Sequence, residues 1–187
     1  MADTEKNKIP FRSIVTGLIV LLVWVGGYFL LSHFTGSMRL DSDTDVAAAL
    51  AQANQTEAVT VLETAEADGL RAVLFDPGTP GDRSDDGLAL FVPDPVFRSR
   101  WCYADAVPQD AAAPLTLYTS VSKKGDPVRG ASALCVIFGT EVPDSVTGCT
   151  LCFDGQPSGE PIAVQGPSVL ALAHRDATED RFTIEIS

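Results

Sequence analysis

The first candidates for functional chemistry in this chain are its four cysteines, Cys102, Cys135, Cys149 and Cys152. In an oxidising compartment an even number of cysteines is most simply explained by two disulfides, for which three pairings exist. In a regular strand Cys149 and Cys152 would lie about 10 Å apart on opposite faces, beyond the roughly 7 Å between Cα atoms that a disulfide allows. Either this segment bends into a turn, or these two cysteines bond separately to Cys102 and Cys135. The sequence leaves both arrangements open.

The same cysteines could instead carry thiol chemistry or bind a metal. A thioredoxin-like site needs its Cys-x-x-Cys pair to open a helix, whereas helix-breaking residues follow Cys152. A c-type haem needs histidine directly after the second cysteine, and Phe153 stands there. Zinc and iron–sulfur sites usually show two close cysteine pairs, and this chain has one. We expect no metal and no cofactor, and we keep thiol or metal handling by an assembly factor as the alternative function.

The sequence contains no motif typical of an enzyme active site. It has two histidines and lacks a Gly-x-Ser-x-Gly nucleophile motif, a Walker A loop, a dinucleotide fingerprint and a His-Glu-x-x-His pair. The segment Asp41–Asp45 resembles the opening of a calcium loop, but Val46 replaces the required glycine and Gln52 the required glutamate. Helix capping explains these aspartates better. We therefore predict no catalytic residue and a protein that is not an enzyme.

One segment of the chain has the composition of a protein interface. It places Arg98, Arg100 and Trp101 together in an otherwise acidic region. Arginine and tryptophan are the residue types most enriched at interface hot spots. The alternative is that Trp101 fills the core while the arginines pair with Asp94 and Asp105.

An uncharged apolar run from Ser13 to Ser32 precedes all these residues. About 20 helical residues span roughly 30 Å, the thickness of a bilayer's hydrocarbon core. We predict a transmembrane anchor helix over residues 13–34. Gly17, Gly26 and Gly27 would offer a small-residue face to a partner helix, although the strict Gly-x-x-x-Gly pattern is absent.

Charges on either side of this run predict its orientation. Lys6, Lys8 and Arg12 precede it, whereas a single arginine and then three aspartates follow. The positive-inside rule puts residues 1–12 in the cytoplasm as a tail and the large domain outside, which in a bacterium means a single-pass inner-membrane protein with a periplasmic domain. A cleaved signal peptide is the rival interpretation. Its apolar region is usually about 7–15 residues long and ends in an Ala-x-Ala-like site, which this sequence lacks.

Residues 35–44 form a polar connector, and residues 45–187 suffice for one domain with its own core. Most of the formal net charge of −12 lies in this domain. An acidic surface repels nucleic acid and anionic lipids, so we expect no nucleic acid ligand. It is compatible with a basic partner protein or with divalent cations.

The periodicity of the domain predicts a mainly-β fold with one short helix. The helix runs from about Val46 to Asn54, capped by Thr44 or Asp45. Short apolar runs separated by Gly, Pro and Asp turn signals then follow at roughly ten-residue spacing. They cover residues 58–63, 70–76, 87–93, 115–122, 133–141, 161–166, 168–176 and 181–187. This pattern favours an antiparallel sandwich or a barrel-like fold, although residues 58–66 could extend the helix instead.

These observations lead to one functional hypothesis. The chain is predicted to be a non-enzymatic, membrane-anchored accessory or scaffold subunit. Its helix would pack beside an integral-membrane partner in the bilayer, and its β-rich domain would dock on the outer face of that larger complex.

Overall fold

A computed structural model of the chain describes residues 11–67, 69–78, 86–110, 112–121, 132–176 and 181–187. It divides into two compact units, Met1–Met38 and Arg39–Ser187. The predicted cytoplasmic tail lies outside the described residues apart from its last two positions.

The first unit consists mainly of one apolar helix, α1, Phe11–Gly36. Its window Ile14–Leu31 has a mean hydropathy of 2.4, and none of the window is buried. Large apolar side chains are exposed along it, from Val15 at 39% to Trp24 at 75%. The window is about 27 Å long at 1.5 Å per residue, so this helix is long and apolar enough to cross a membrane. A two-residue strand, β1, Ser37–Met38, follows.

The second unit opens with the short helix α2, Asp43–Asn54, which is capped by Ser42. The Ser42 hydroxyl accepts a hydrogen bond from the Asp45 backbone N–H at 3.2 Å and donates one to the Asp45 carboxylate at 2.8 Å. The helix therefore begins three residues before the predicted Val46, and neither Thr44 nor Asp45 is its cap. Asp43 and Asp45 fit this first turn because carboxylates are stabilised at the positive end of the helix dipole. These two aspartates therefore belong to the first turn of the helix, and Ser42 rather than an aspartate is the cap.

The remainder of the second unit is built of β-strands. They are β2 Thr60–Ala67, β3 Leu70–Asp76, β4 Gly87–Pro93, β5 Trp101–Pro108, β6 Thr116–Val121, β7 Ala133–Gly139, β8 Gly148–Phe153, β9 Gln156–Pro157, β10 Ile162–Ala163, β11 Val169–Arg175 and β12 Phe182–Ile186. Gln55 ends α2 in the left-handed conformation, and the ambiguous segment that follows is a strand rather than more helix. The prediction of a mainly-β, antiparallel fold is confirmed.

These strands form three sheets. Within this unit the first sheet runs β5-β4-β3-β2, the second β11-β7-β6 and the third β10-β8-β12, with β9 also pairing β8. Every one of these ladders is antiparallel. Strands β3 and β4 have the predicted bounds, whereas β5, β8 and the short β9 were not among the predicted strands.

Strand β7 lies at the centre of the packing, and all seven of its residues are buried. Leu134, Val136 and Phe138 pack in one core cluster with apolar side chains of the first sheet. Cys135 and Ile137, on the opposite face of β7, pack in a second cluster with side chains of the third sheet. The three sheets therefore form three layers with β7 in the middle one, rather than the two layers of a simple sandwich.

Candidate functional site

All four cysteines are free thiols, and they lie in three separate places. Cys135 and Cys149 belong to the core cluster between the second and third sheets. Strand β8 is regular and pairs with β12 throughout, so Cys152 lies on the face of β8 opposite Cys149. Cys102 lies in β5, in the first sheet. The expected two disulfides are absent here, because β8 does not bend and because Cys102 belongs to another layer.

The surroundings of three of these thiols raise their pKa. Burial raises the pKa of Cys149. Burial first, and then the neighbouring carboxylate of Glu185, raises the pKa of Cys152. At Cys102, burial raises the pKa most and the Asp94 carboxylate raises it further. The thiol sulfur lies 3.7 Å from that carboxylate. A protonated thiol is a poor nucleophile and a poor metal ligand. Among the described residues, no group of three or more His, Cys, Asp and Glu side chains could hold a metal ion.

A compact turn around Asp94 carries the predicted interface arginines. The Asp94 side chain is 1% exposed, and its carboxylate accepts hydrogen bonds from the backbone N–H groups of Val96 at 2.7 Å and Phe97 at 2.9 Å. The Asp94 N–H donates in turn to the Arg100 carbonyl at 2.8 Å. Arg98 and Val96 are exposed on this 94–100 turn, while Arg100 is half-buried. The turn therefore presents one apolar and one cationic side chain from a hydrogen-bonded frame.

Trp101 is half-buried and contacts a cation that its sequence neighbours did not indicate. The Arg71 guanidinium lies 4.6 Å from the centroid of the Trp101 ring, a cation–π distance. Arg71 also donates to the Leu40 carbonyl and forms an ion pair with Glu66 at 3.0 Å. Trp101 is thus fixed to the domain through strand β3, and only part of its ring is available to a partner.

The three glycines of α1 do not form one face. At 3.6 residues per turn, the nine residues between Gly17 and Gly26 are two and a half turns, which places these two glycines on opposite sides of the helix. Gly26 and Gly27 are adjacent, about 100° apart around the axis. A Cβ atom at any of the three would meet nothing within 4 Å. The prediction of a shared small-residue face is wrong for Gly17, and the Gly26–Gly27 pair is the surface that stays available for close helix contact.

A buried polar network joins the ends of three strands. The Thr140 hydroxyl donates to the Asp86 carboxylate at 2.5 Å and also lies 2.9 Å from the Gln109 side-chain oxygen. That oxygen accepts from the Thr140 N–H at 2.8 Å, while the Gln109 N–H donates to the Asp86 carbonyl at 2.9 Å. All three residues are buried. The network links the first and second sheets and is structural, and no local motif in the sequence signals it.

An open groove of about 190 Å³ lies where β2, β10 and β11 meet. Most of the residues that line it are apolar, including Ile162, Val169 and Leu170, and Gln165 adds an amide. Glu63 is the one carboxylate among the residues that line it. Burial raises the pKa of Glu63. Among the described residues, the Glu63 carboxylate has no hydrogen bond or ion pair.

A β-bulge aims Glu63 into this groove. The β2–β3 register shifts between Val61, which pairs with Phe75, and Glu63, which pairs with Leu74. Leu62 is the extra residue, and it is exposed at the surface. Without it, strict alternation would put Glu63 on the same face as Val61. With it, Glu63 shares the face of Leu74, the core face of the sheet. This site was not predicted from the sequence, because its one local sign is the adjacent apolar pair Val61 and Leu62, in a run that could also have been helix.

No protein-family model matches the sequence, and comparisons with curated proteins and with solved structures found no significant match.

Proposed function

We propose that this chain is a non-enzymatic, membrane-anchored accessory subunit whose β-rich domain docks on a larger membrane-protein complex. One observation carries the proposal. Helix α1 exposes its apolar side chains throughout the window Ile14–Leu31, while the unit Arg39–Ser187 closes a core of its own around β7. Such a helix is stable only when lipid or another apolar helix surrounds it.

The charges that flank α1 give the proposed orientation. Basic residues before the helix and aspartates after it support an orientation with the N-terminus in the cytoplasm and the β-rich domain on the extracytoplasmic side of the cell membrane. With this orientation the outer domain faces whatever part of the partner complex projects from the membrane.

Two surfaces are proposed to carry the docking. In the bilayer, Gly26 and Gly27 allow a partner helix to approach the backbone of α1 closely. On the outer domain, the 94–100 turn presents Val96 and Arg98 from a frame that Asp94 holds in place. A preformed turn loses little conformational entropy on binding, which favours its use as a contact.

The alternative role in thiol or metal handling gains nothing from the geometry. The cysteines lie in three places, and burial raises the pKa of Cys102, Cys149 and Cys152. A thiol-exchange or metal-transfer site needs thiols that are close together and easily deprotonated.

Affinity purification from membranes solubilised in mild detergent tests the proposed function. The full chain should recover at least one integral-membrane protein in a stable ratio. A matched chain, in which α1 is replaced by an unrelated transmembrane helix of the same length, should recover less of it. Recovery of the monomer alone from both preparations would contradict the proposal.

A further inference from the structure

We propose that the groove beside Glu63 binds the side chain of a lysine or arginine presented by a partner protein. The inference deepens the proposed function, on which it rests, by naming the chemistry of the partner surface. The groove lies between two edge strands, since β2 pairs only with β3 and β11 only with β7 among the described residues.

The Glu63 carboxylate has the position of an incomplete ion pair. It faces apolar side chains from β10 and β11, and no described cation lies against it. A carboxylate in such surroundings is disfavoured in its charged form until a cation or strong hydrogen-bond donors reach it. An ammonium group brings three donors and a guanidinium five, so either would complete the pair. Carbonyl groups along the two strand edges are further acceptors for the donors that remain.

The bulge at Leu62 is a second, independent observation. It shifts the alternation of β2 so that Glu63 lies on the core face of the sheet, opposite Leu74. Bulges commonly re-aim a side chain at a functional site. The same shift also brings Ala65 to that face, where it packs against the core cluster that contains Ala72 and Leu74.

The volume and the lining residues of the groove fit a single side chain rather than a whole small molecule. About 190 Å³ is below the roughly 300–1,000 Å³ of pockets that enclose drug-sized ligands. Ile162, Val169 and Leu170 offer apolar surface to the methylene stem of a long basic side chain, whose charged head then reaches Glu63.

The charge of the whole chain favours the same occupant. A formal net charge of −12 attracts cationic surfaces and repels anionic ones. The long-range field would therefore bring a basic segment towards the domain, and Glu63 would select its position at the groove.

The test uses the full chain in lipid nanodiscs, with its isoleucine, leucine and valine methyl groups labelled for NMR. The probes are the blocked amino acids N-acetyl-lysine methylamide and its arginine, norleucine and glutamate counterparts. We expect the lysine or the arginine compound to shift the methyl signals of Ile162, Val169 and Leu170. Glu63→Gln should weaken that binding about tenfold or more, because it removes a charge-assisted hydrogen bond.

Glu57→Gln is the matched control, since it makes the same change of charge at an exposed residue that does not line the groove. It should leave the binding of the cationic probe unchanged within about twofold. Glu63→Asp should keep part of the affinity that Glu63→Gln loses. Equal shifts with norleucine, equal loss in both variants, or no shift with either cationic probe would overturn the inference. If neither cationic probe shifts the methyl signals of the groove but the chain still purifies with a membrane partner, this inference fails and the proposed function stands.

Discussion

Replacing Thr140 by valine should strongly destabilise the β-rich domain, because the Thr140 hydroxyl joins the buried network of Asp86, Gln109 and Thr140. Valine has nearly the same shape as threonine, so the change leaves no cavity in this 2% exposed position. A hydroxyl has one hydrogen, and at 2.5 Å the Asp86 carboxylate is its acceptor. The Gln109 oxygen keeps its other donor, the Thr140 N–H at 2.8 Å. The whole effect therefore falls on the Asp86 carboxylate.

The expected loss is about 2–4 kcal/mol in the free energy of unfolding. A hydrogen bond to a charged group is worth about 1.5–3 kcal/mol, and a buried carboxylate that loses a donor adds a desolvation penalty. Urea unfolding of the full chain in detergent, followed by circular dichroism, measures this loss. With a urea dependence of about 2 kcal/mol per molar, the midpoint should fall by about 1–2 M.

Thr64→Val is the matched control, because Thr64 is exposed on β2 and the chemical change is the same. It should alter stability by no more than about 0.5 kcal/mol. A double-mutant cycle with Asp86→Asn should show that Thr140→Val is less harmful once the carboxylate is gone. If Thr140→Val and Thr64→Val have equal effects, the network does not contribute to stability and the reasoning is refuted.

Three further predictions concern packing, thiols and charge. Gly139→Ala should destabilise the domain by about 1–3 kcal/mol in urea unfolding, because the added Cβ would lie 2.5 Å from the Pro114 carbonyl oxygen; an unchanged midpoint would refute this. All four cysteines should be alkylated after denaturation without reductant, as counted by intact mass. In the native protein the alkylation rate of Cys102 should keep rising as the pH passes the ordinary thiol pKa of 9.0, because the pKa of Cys102 is raised. Four unreactive cysteines in the denatured chain would instead indicate two disulfides. Burial raises the pKa of Glu63, so the contribution of this group to stability is complete below its unfolded pKa and is lost as the pH rises through its folded pKa. Glu63→Gln should therefore be more stable than wild type at pH 7 by up to about 0.5 kcal/mol. The variant should have no advantage at acidic pH, where the glutamate is protonated.

Strands β3 and β4 are buried on both faces and were predicted with the bounds that the structure has, whereas β8, which is also mostly buried, was not among the predicted strands. Strands β3 and β4 lie inside the first sheet, and their residues form continuous apolar runs between turn signals. Their bounds could be read directly from hydrophobicity. Strand β5 was missed because the middle of its sequence, Ala104–Ala106, is exposed and does not form an apolar run. Side-chain pattern carries little information at such a position.

Features that depend on contacts distant in the chain were beyond the sequence. Thr140 joins Asp86 across 54 positions, and no local pattern reports such a pair. Glu63 reaches its groove because one inserted residue changes the face of the strand, a change that a periodicity analysis treats as noise. The prediction of two disulfides from four cysteines failed for the same reason, since the number of cysteines does not indicate which layer each one occupies.

The central claim is that the chain works as a membrane-anchored subunit in contact with a membrane-protein partner. In-cell photo-crosslinking tests it most directly, with a photoreactive amino acid placed at Gly27 in α1, at Arg98 in the 94–100 turn, or at the exposed control position Glu57. The account predicts that Gly27 and Arg98 give adducts with the same integral-membrane complex, while Glu57 gives none. Crosslinks to lipid alone at Gly27 together with no adduct at Arg98 would contradict it.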